Sequence, residues 1–188
     1  MLTYPLGKPY LFDESRFEKF AKELNLALVF AHTKANLFHG DVSPKNIVMH
    51  HNKPVLIDWA YSIHQGNVLT GFTGTMTFAS IAVTRLREQI EDYQYHARDD
   101  FESLFYTLLY FASDNHLPWL NTAKFSPIEL ADAKRLAVTT NWETTKLTIN
   151  IPFLDVMRDV LFSDETKDVE SLFDDAIADI KKRRDSIK

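Results

Sequence analysis

The chain has 188 residues, 45% hydrophobic and 25% charged, with 21 Lys+Arg against 26 Asp+Glu and a net charge of −5. That length suits a single domain burying roughly 70% of its unfolded surface, and the composition excludes a disordered or fibrous chain. Absence of cysteine excludes disulfides and thiolate zinc sites, and the acidic balance gives no basic field for nucleic acid or an anionic membrane. The apolar run Leu104 to Ala112 is too short to cross a bilayer, and the N-terminus shows no basic segment followed by an apolar one. An intracellular location, cytoplasmic or nuclear, is expected.

Residues 1–12, with Pro5, Gly7 and Pro9, read as an extended, hinge-like opening segment, and Asp13 or Ser15 suits the N-cap of a helix starting near Ser15. Phe17, Phe20, Ala21, Leu24, Ala27, Leu28 and Ala31 recur at three and four, which predicts a core-packed helix to about Lys34. Ile47–Met49 and Val55–Ile57 are short β-prone runs across H-H-N-K-P, a small hairpin. Residues 58–84 carry Gly66, Gly71 and Gly74 with little periodicity and read as one long loop, a class that is usually functional. Asp99–Ala112 is apolar nearly all round and marks a buried central helix, whose Phe101, Phe105, Tyr106 and Phe111 are core rather than a ligand cage. Ser126–Val138, Ile151–Phe162 and Asp168–Lys182 are amphipathic helices. The adjacent His50 and His51 are expected to point to opposite sides and so to make a poor chelate, and Lys181–Arg184 is expected to complement the carbonyl end of the last helix, a nuclear address being the alternative reading.

Two stretches carry chemistry. His39 to Asn46 reads H-G-D-V-S-P-K-N, and V-L-I-D-W at Val55–Trp59 places a second Asp at the end of an apolar strand. Carboxylate, amide and carboxylate in that order supply the oxygen ligands of a magnesium nucleotide site. Asp and Asn also favour turns and caps, the alternative reading of each residue alone.

The order helix, H-G-D-x-x-x-x-N loop, hairpin, D-W-A, G-T-M-T-F loop and D-D-F-E-S-L-F-Y-T-L-L-Y helix resembles the protein kinase family from its hinge onward, over about Tyr4 to Ile180. The pattern is most similar to fungal-type protein kinases, and L-P-W at Leu117–Trp119 also resembles the casein kinase one family. The resemblance implies a mainly α fold, α+β by family: one protein kinase-like C-terminal lobe over 1–188 with a small β-hairpin and an activation-segment-like loop at 58–84. It implies an ATP-dependent serine/threonine kinase using ATP and Mg²⁺. Asp41 would be the base, Asn46 and Asp58 the metal and nucleotide ligands, and Lys45 a neutralising charge on the transferring phosphate. Thr75 would bond to the catalytic loop and fix Asp41, and Asp100 would accept backbone N–H groups of the H-G-D turn.

Four departures qualify this. No G-x-G-x-x-G or V-A-I-K precedes Leu11, so the N-terminal lobe of the family is expected to be absent. Gly40 stands where an Arg usually receives an activation-loop phosphate, Ala60 replaces the Gly of D-F-G, and Ala82 replaces a Glu whose anchor to a deeper Arg is therefore expected to be missing. The chain alone is expected to be weakly active or inactive. The alternatives are a non-catalytic, pseudokinase-like binding module and a small-molecule kinase of the aminoglycoside or choline type, which also uses H-G-D-x-x-x-x-N. The central helix and the G-T-M-T-F loop resemble protein kinases specifically. A protein substrate or docking partner is expected, with self-association through an apolar face formed by Trp59 and residues 2–11.

Overall fold

In the computed structural model, which describes residues 7–86, 92–140 and 151–163, helix α1 (Glu14–Phe30) starts where Asp13 accepts the Ser15 N–H at 3.0 Å. Of the two expected N-caps, the carboxylate is the one used. The apolar face is buried as its spacing predicts, with Phe17, Phe20, Ala21, Leu24 and Leu28 nearly inaccessible. The helix runs on as a single π turn (Ala31–Ala35), ended by Asn36 in the left-handed region at φ 53°. The helix expected at 168–182, the basic cluster at 181–184 and the first six residues of the hinge-like segment lie outside the described residues.

After β1 (Leu37–Phe38), the expected hairpin forms from β2 (Ile47–His50) and β3 (Lys53–Leu56), antiparallel, pairing Ile47 with Leu56 and His50 with Lys53. Its two-residue turn, His51–Asn52, has φ 47° and 61°, and two positive φ values match the right-handed twist of the strands. That turn corrects the expectation for the two histidines: their rings meet edge to face at 4.2 Å, because strand alternation stops at His51. Lys8 adds a short rung, exchanging backbone bonds of 3.1 and 2.7 Å with Met49. The approach needs Gly7, where a Cβ would lie 2.6 Å from Val48 Cβ and 2.9 Å from the Met49 carbonyl.

Residues 58–84 are not one structureless loop. They contain β4 (Ile63–His64), paired with β1, β5 (Val68–Leu69), and the start of a short helix α2 (Ile81–Arg85). β5 pairs with β6 (Tyr93–Gln94), which lies just before the central helix. Strands of two residues leave no legible alternation, so the sequence pattern could not show them. α3 (Ala97–Ala112) is the expected central helix, with Phe101, Phe105 and Tyr106 fully buried and Phe111 nearly so. α4 (Pro127–Arg135) opens with a capping box in which Ser126 and Glu129 satisfy each other's backbone N–H, and α5 (Pro152–Ser163) packs on α3.

Most of the core is one cluster drawn from α1, α3, α5, the hairpin and Trp119. A smaller cluster of Phe38, Ala79, Val83 and Tyr95, with Leu69, Phe72 and Tyr93 against it, supports the 58–84 segment from beneath. That segment is therefore built on a hydrophobic base of its own, beside the turn that succeeds β1.

Candidate active site

The turn His39–Asp41 is shaped by a buried carboxylate from α3. Asp100 Oδ2 accepts the His39 N–H at 2.7 Å and Oδ1 accepts the Gly40 N–H at 3.0 Å, the two bonds its position suggests. The same carboxylate meets His32 Nε2 at 2.9 Å and accepts the Tyr95 hydroxyl at 2.9 Å. Gly40 has φ +79°, and a Cβ there would stand 3.0 Å from the Tyr61 carbonyl, so local geometry favours glycine at that position. The buried His39 ring accepts the Asp41 N–H at Nδ1 (3.2 Å) and meets the Ile57 carbonyl with Nε2 (3.1 Å), which fixes the neutral Nε2–H form. Trp59 packs edge-on against it at 4.5 Å.

Those contacts orient Asp41. Its Oδ1 accepts the backbone N–H of Thr75 at 2.8 Å, and its Oδ2 accepts Asn46 Nδ2 at 2.9 Å. Asn46 Nδ2 also donates to the Asp41 carbonyl at 2.8 Å, closing the loop on itself. Both amide hydrogens of Asn46 are thus directed at Asp41, and its Oδ1 has no hydrogen bond among the described residues. The Ile57 N–H donates to the Asn46 carbonyl at 2.9 Å, which ties the strand leading to Asp58 to the same loop. Asp58 is exposed and left-handed, at φ 63°. Lys45 is exposed, with no ion pair among the described residues.

The structure therefore joins Asp41, Asn46 and Thr75 directly, ties the strand before Asp58 to the same loop through the Ile57 N–H, and leaves Lys45 exposed. An amide oxygen and a carboxylate are hard donors suited to Mg²⁺, and no group of three or more acidic or His side chains able to hold a metal occurs among the described residues. Two donors fit a magnesium ion that takes its remaining ligands from phosphate and water rather than from an all-protein cage.

One anchor of the 58–84 segment differs from expectation. Ala82 does lack a carboxylate, but the segment is held by a cation from another element. The fully buried Lys134 of α4 donates to the carbonyls of Met76 (2.8 Å) and Ala79 (2.6 Å) and to Thr84 Oγ1 (3.1 Å). Glu102 Oε1 accepts the Ile81 N–H and the Tyr106 hydroxyl, both at 2.7 Å. Ser80 Oγ donates to Asp99 at 2.5 Å, and Trp119 Nε1 donates to the Thr77 carbonyl at 3.0 Å. Burial pushes the Glu102 carboxyl up and pulls Lys134 down, while the charge of Glu102 works the other way on Lys134. Three acceptors around Nζ match the three N–H groups of an ammonium. Lys134 gave no signal in the sequence, where it reads as an ordinary helix-surface lysine.

The phenols of this network carry a pH dependence. Burial pushes Tyr95 and Tyr106 well above their usual value of 10.0, and the neighbouring Asp100 and Glu102 charges add to it. The folded chain therefore keeps these protons above pH 10 while the unfolded chain loses them, so stability present below pH 10 is lost as pH rises beyond it. Urea midpoints should hold up to about pH 10 and fall steeply above it, with the phenolate absorbance of the buried tyrosines appearing together with unfolding. A midpoint unchanged above that pH would contradict the assignment.

Residues 27–112 match the family model described as fungal protein kinase. Among 846 matching chains of solved structures is one titled "Structure of vaccinia related kinase 3", with TM-score 0.69 and 16% identity over 94% of this chain. The chain spans 62% of the length of that structure. At this identity the likeness is one of fold, and a fold so widely shared does not by itself fix a reaction. No curated protein matches the chain in sequence.

Proposed function

We propose that the chain, whose residues 27–112 match the fungal protein kinase model and whose fold is like that of a solved kinase, is the C-terminal, catalytic-loop lobe of an ATP- and Mg²⁺-dependent serine/threonine protein kinase. The observation that carries this reading is the double restraint on Asp41, one oxygen on the Thr75 N–H and the other on the Asn46 amide. A carboxylate held this way is oriented to accept the proton of an incoming hydroxyl. Asn46 Oδ1, left free by that arrangement, and Asp58 would hold the magnesium ion. When bound, the metal supplies charge neutralisation on the phosphates. Lys45, one residue before Asn46, is placed to add positive charge beside the transferring group.

The glycine-rich loop and the Lys–Glu pair of the family are not in this sequence, so the 188-residue chain by itself is read as weakly active or inactive. A β-rich lobe would come from a longer form of the chain or from a partner. The apolar residues Leu11 (82% exposed) and Phe12 (43%) support a docking or self-association face near the hinge-like segment. Among the described residues no helix is long and apolar enough to cross a membrane.

The test is calorimetric titration of the purified chain with an ATP analogue, with and without magnesium. Weak binding that needs the metal, and that is lost in Asp58→Ala, is the expected result. Binding of equal strength without magnesium, or unaffected by that substitution, would remove Asp58 from the site.

A further inference from the structure

Lys134 lies far in sequence from the catalytic loop, yet two of its three bonds end on the turn that touches Asp41. The Phe78 and Ala79 N–H groups both bond to the Thr75 carbonyl, at 2.9 and 3.2 Å, so residues 75–79 form one closed turn. One side of that turn presents the Thr75 N–H to Asp41 Oδ1 at 2.8 Å. Lys134 grips the same turn through the carbonyls of Met76 and Ala79. If α4 needed only packing at this point, an apolar side chain of similar volume would serve as well or better, since an ammonium taken out of water loses its hydration before its bonds are counted. A cation here is explained by the carbonyls it satisfies.

We propose that Lys134 is a positioning residue for Asp41: by fixing the 75–79 turn it holds the Thr75 N–H against the Asp41 carboxylate and so sets that carboxylate's orientation. This rests on the kinase reading for its meaning, but not for its geometry. Trp119 holds the intervening Thr77 carbonyl, so loss of Lys134 would loosen the turn without releasing it entirely.

The experiment is residue-resolved amide hydrogen exchange on the full chain, comparing wild type with Lys134→Met. The Thr75, Phe78 and Ala79 amides should exchange about tenfold faster or more, while those of α3 keep their protection, as expected of local rather than global opening. With a β-rich lobe supplied, kcat should fall by about 10²-fold with the KM for magnesium nucleotide unchanged, because misplacement of a catalytic group by about 1 Å costs that much in rate and the metal ligands are untouched. Should Lys134→Met not fold, the double variant Lys134→Met/Glu102→Gln, which also neutralises the carboxylate left behind, takes its place in both measurements. Unchanged exchange at Thr75, equal loss of protection in α3, or a double variant that also fails to fold would each overturn the proposal. Absence of phosphotransfer in the wild-type chain with its lobe supplied would sink the kinase reading alone, since the exchange measurement decides the positioning role without it.

Discussion

Replacing Asp100 by Ala should leave the chain largely unfolded at room temperature. The side chain is fully buried and its two oxygens serve four groups: the His39 and Gly40 N–H, His32 Nε2 and the Tyr95 hydroxyl. Truncation orphans all four in a site closed to water. Each buried donor left unsatisfied costs about 1–3 kcal/mol, and the sum rivals the ~5–15 kcal/mol that holds a domain folded. Asp100→Asn should be nearly as harmful, because its amide NH₂ would face an N–H where an acceptor is required. Urea denaturation followed by circular dichroism measures both. A loss below about 1 kcal/mol in the Ala variant would mean the network relaxes onto other acceptors, and the account of the turn would be wrong.

The second large effect is on chemistry. Asp41→Ala should reduce phosphotransfer by about 10²- to 10⁴-fold, the usual range for a general acid or base, when a β-rich lobe is supplied through a longer chain or a partner. Stability should change far less, since Asp41 is only partly buried and its carboxylate accepts two hydrogen bonds worth about 1 kcal/mol each. Radiolabelled ATP presented with protein substrates and with an aminoglycoside panel reads the rate and the substrate class together. Transfer to protein that vanishes in the variant supports the proposal; transfer to aminoglycosides alone favours the small-molecule alternative. A robust, Asp41-dependent rate from the 188-residue chain without any added lobe would show that the reading of an incomplete catalytic unit is mistaken.

The alkaline loss of stability and the exchange behaviour of the 75–79 turn depend on the same buried network, but on different members of it. Tyr95 reports on Asp100 beneath the His39–Asp41 turn, whereas Tyr106 and Lys134 report on Glu102 beneath α2. Neutralising Glu102 should therefore weaken the alkaline contribution of Tyr106 and leave that of Tyr95 in place.

The sequence by itself determined the local elements and the residue types of the candidate site. The three-and-four spacing from Phe17 to Ala31 predicts α1, the β-prone runs around His51–Asn52 predict the hairpin, and the nearly continuous apolar surface of Asp99–Ala112 marks the central helix. Each signal is complete within a few turns or residues, because it comes from the period of one element. The order H-G-D-x-x-x-x-N, then D-W, then G-T-M-T-F brought out Asp41, Asn46, Asp58 and Thr75 as a group. The resemblance also implied Asp100 beneath the H-G-D turn and Thr75 against Asp41; only the tertiary structure decided what else holds them. His32 and Asp100 are 68 residues apart, and Lys134 is 55 residues from the Ala79 carbonyl it satisfies. No local period encodes such a pairing: a lysine bound for the interior looks like one bound for solvent until a second element offers it carbonyls. The short strands and α2 within residues 58–85 left no trace in the sequence for the same reason, their few residues being fixed by partners in β1, β6 and α3 rather than by a pattern of their own.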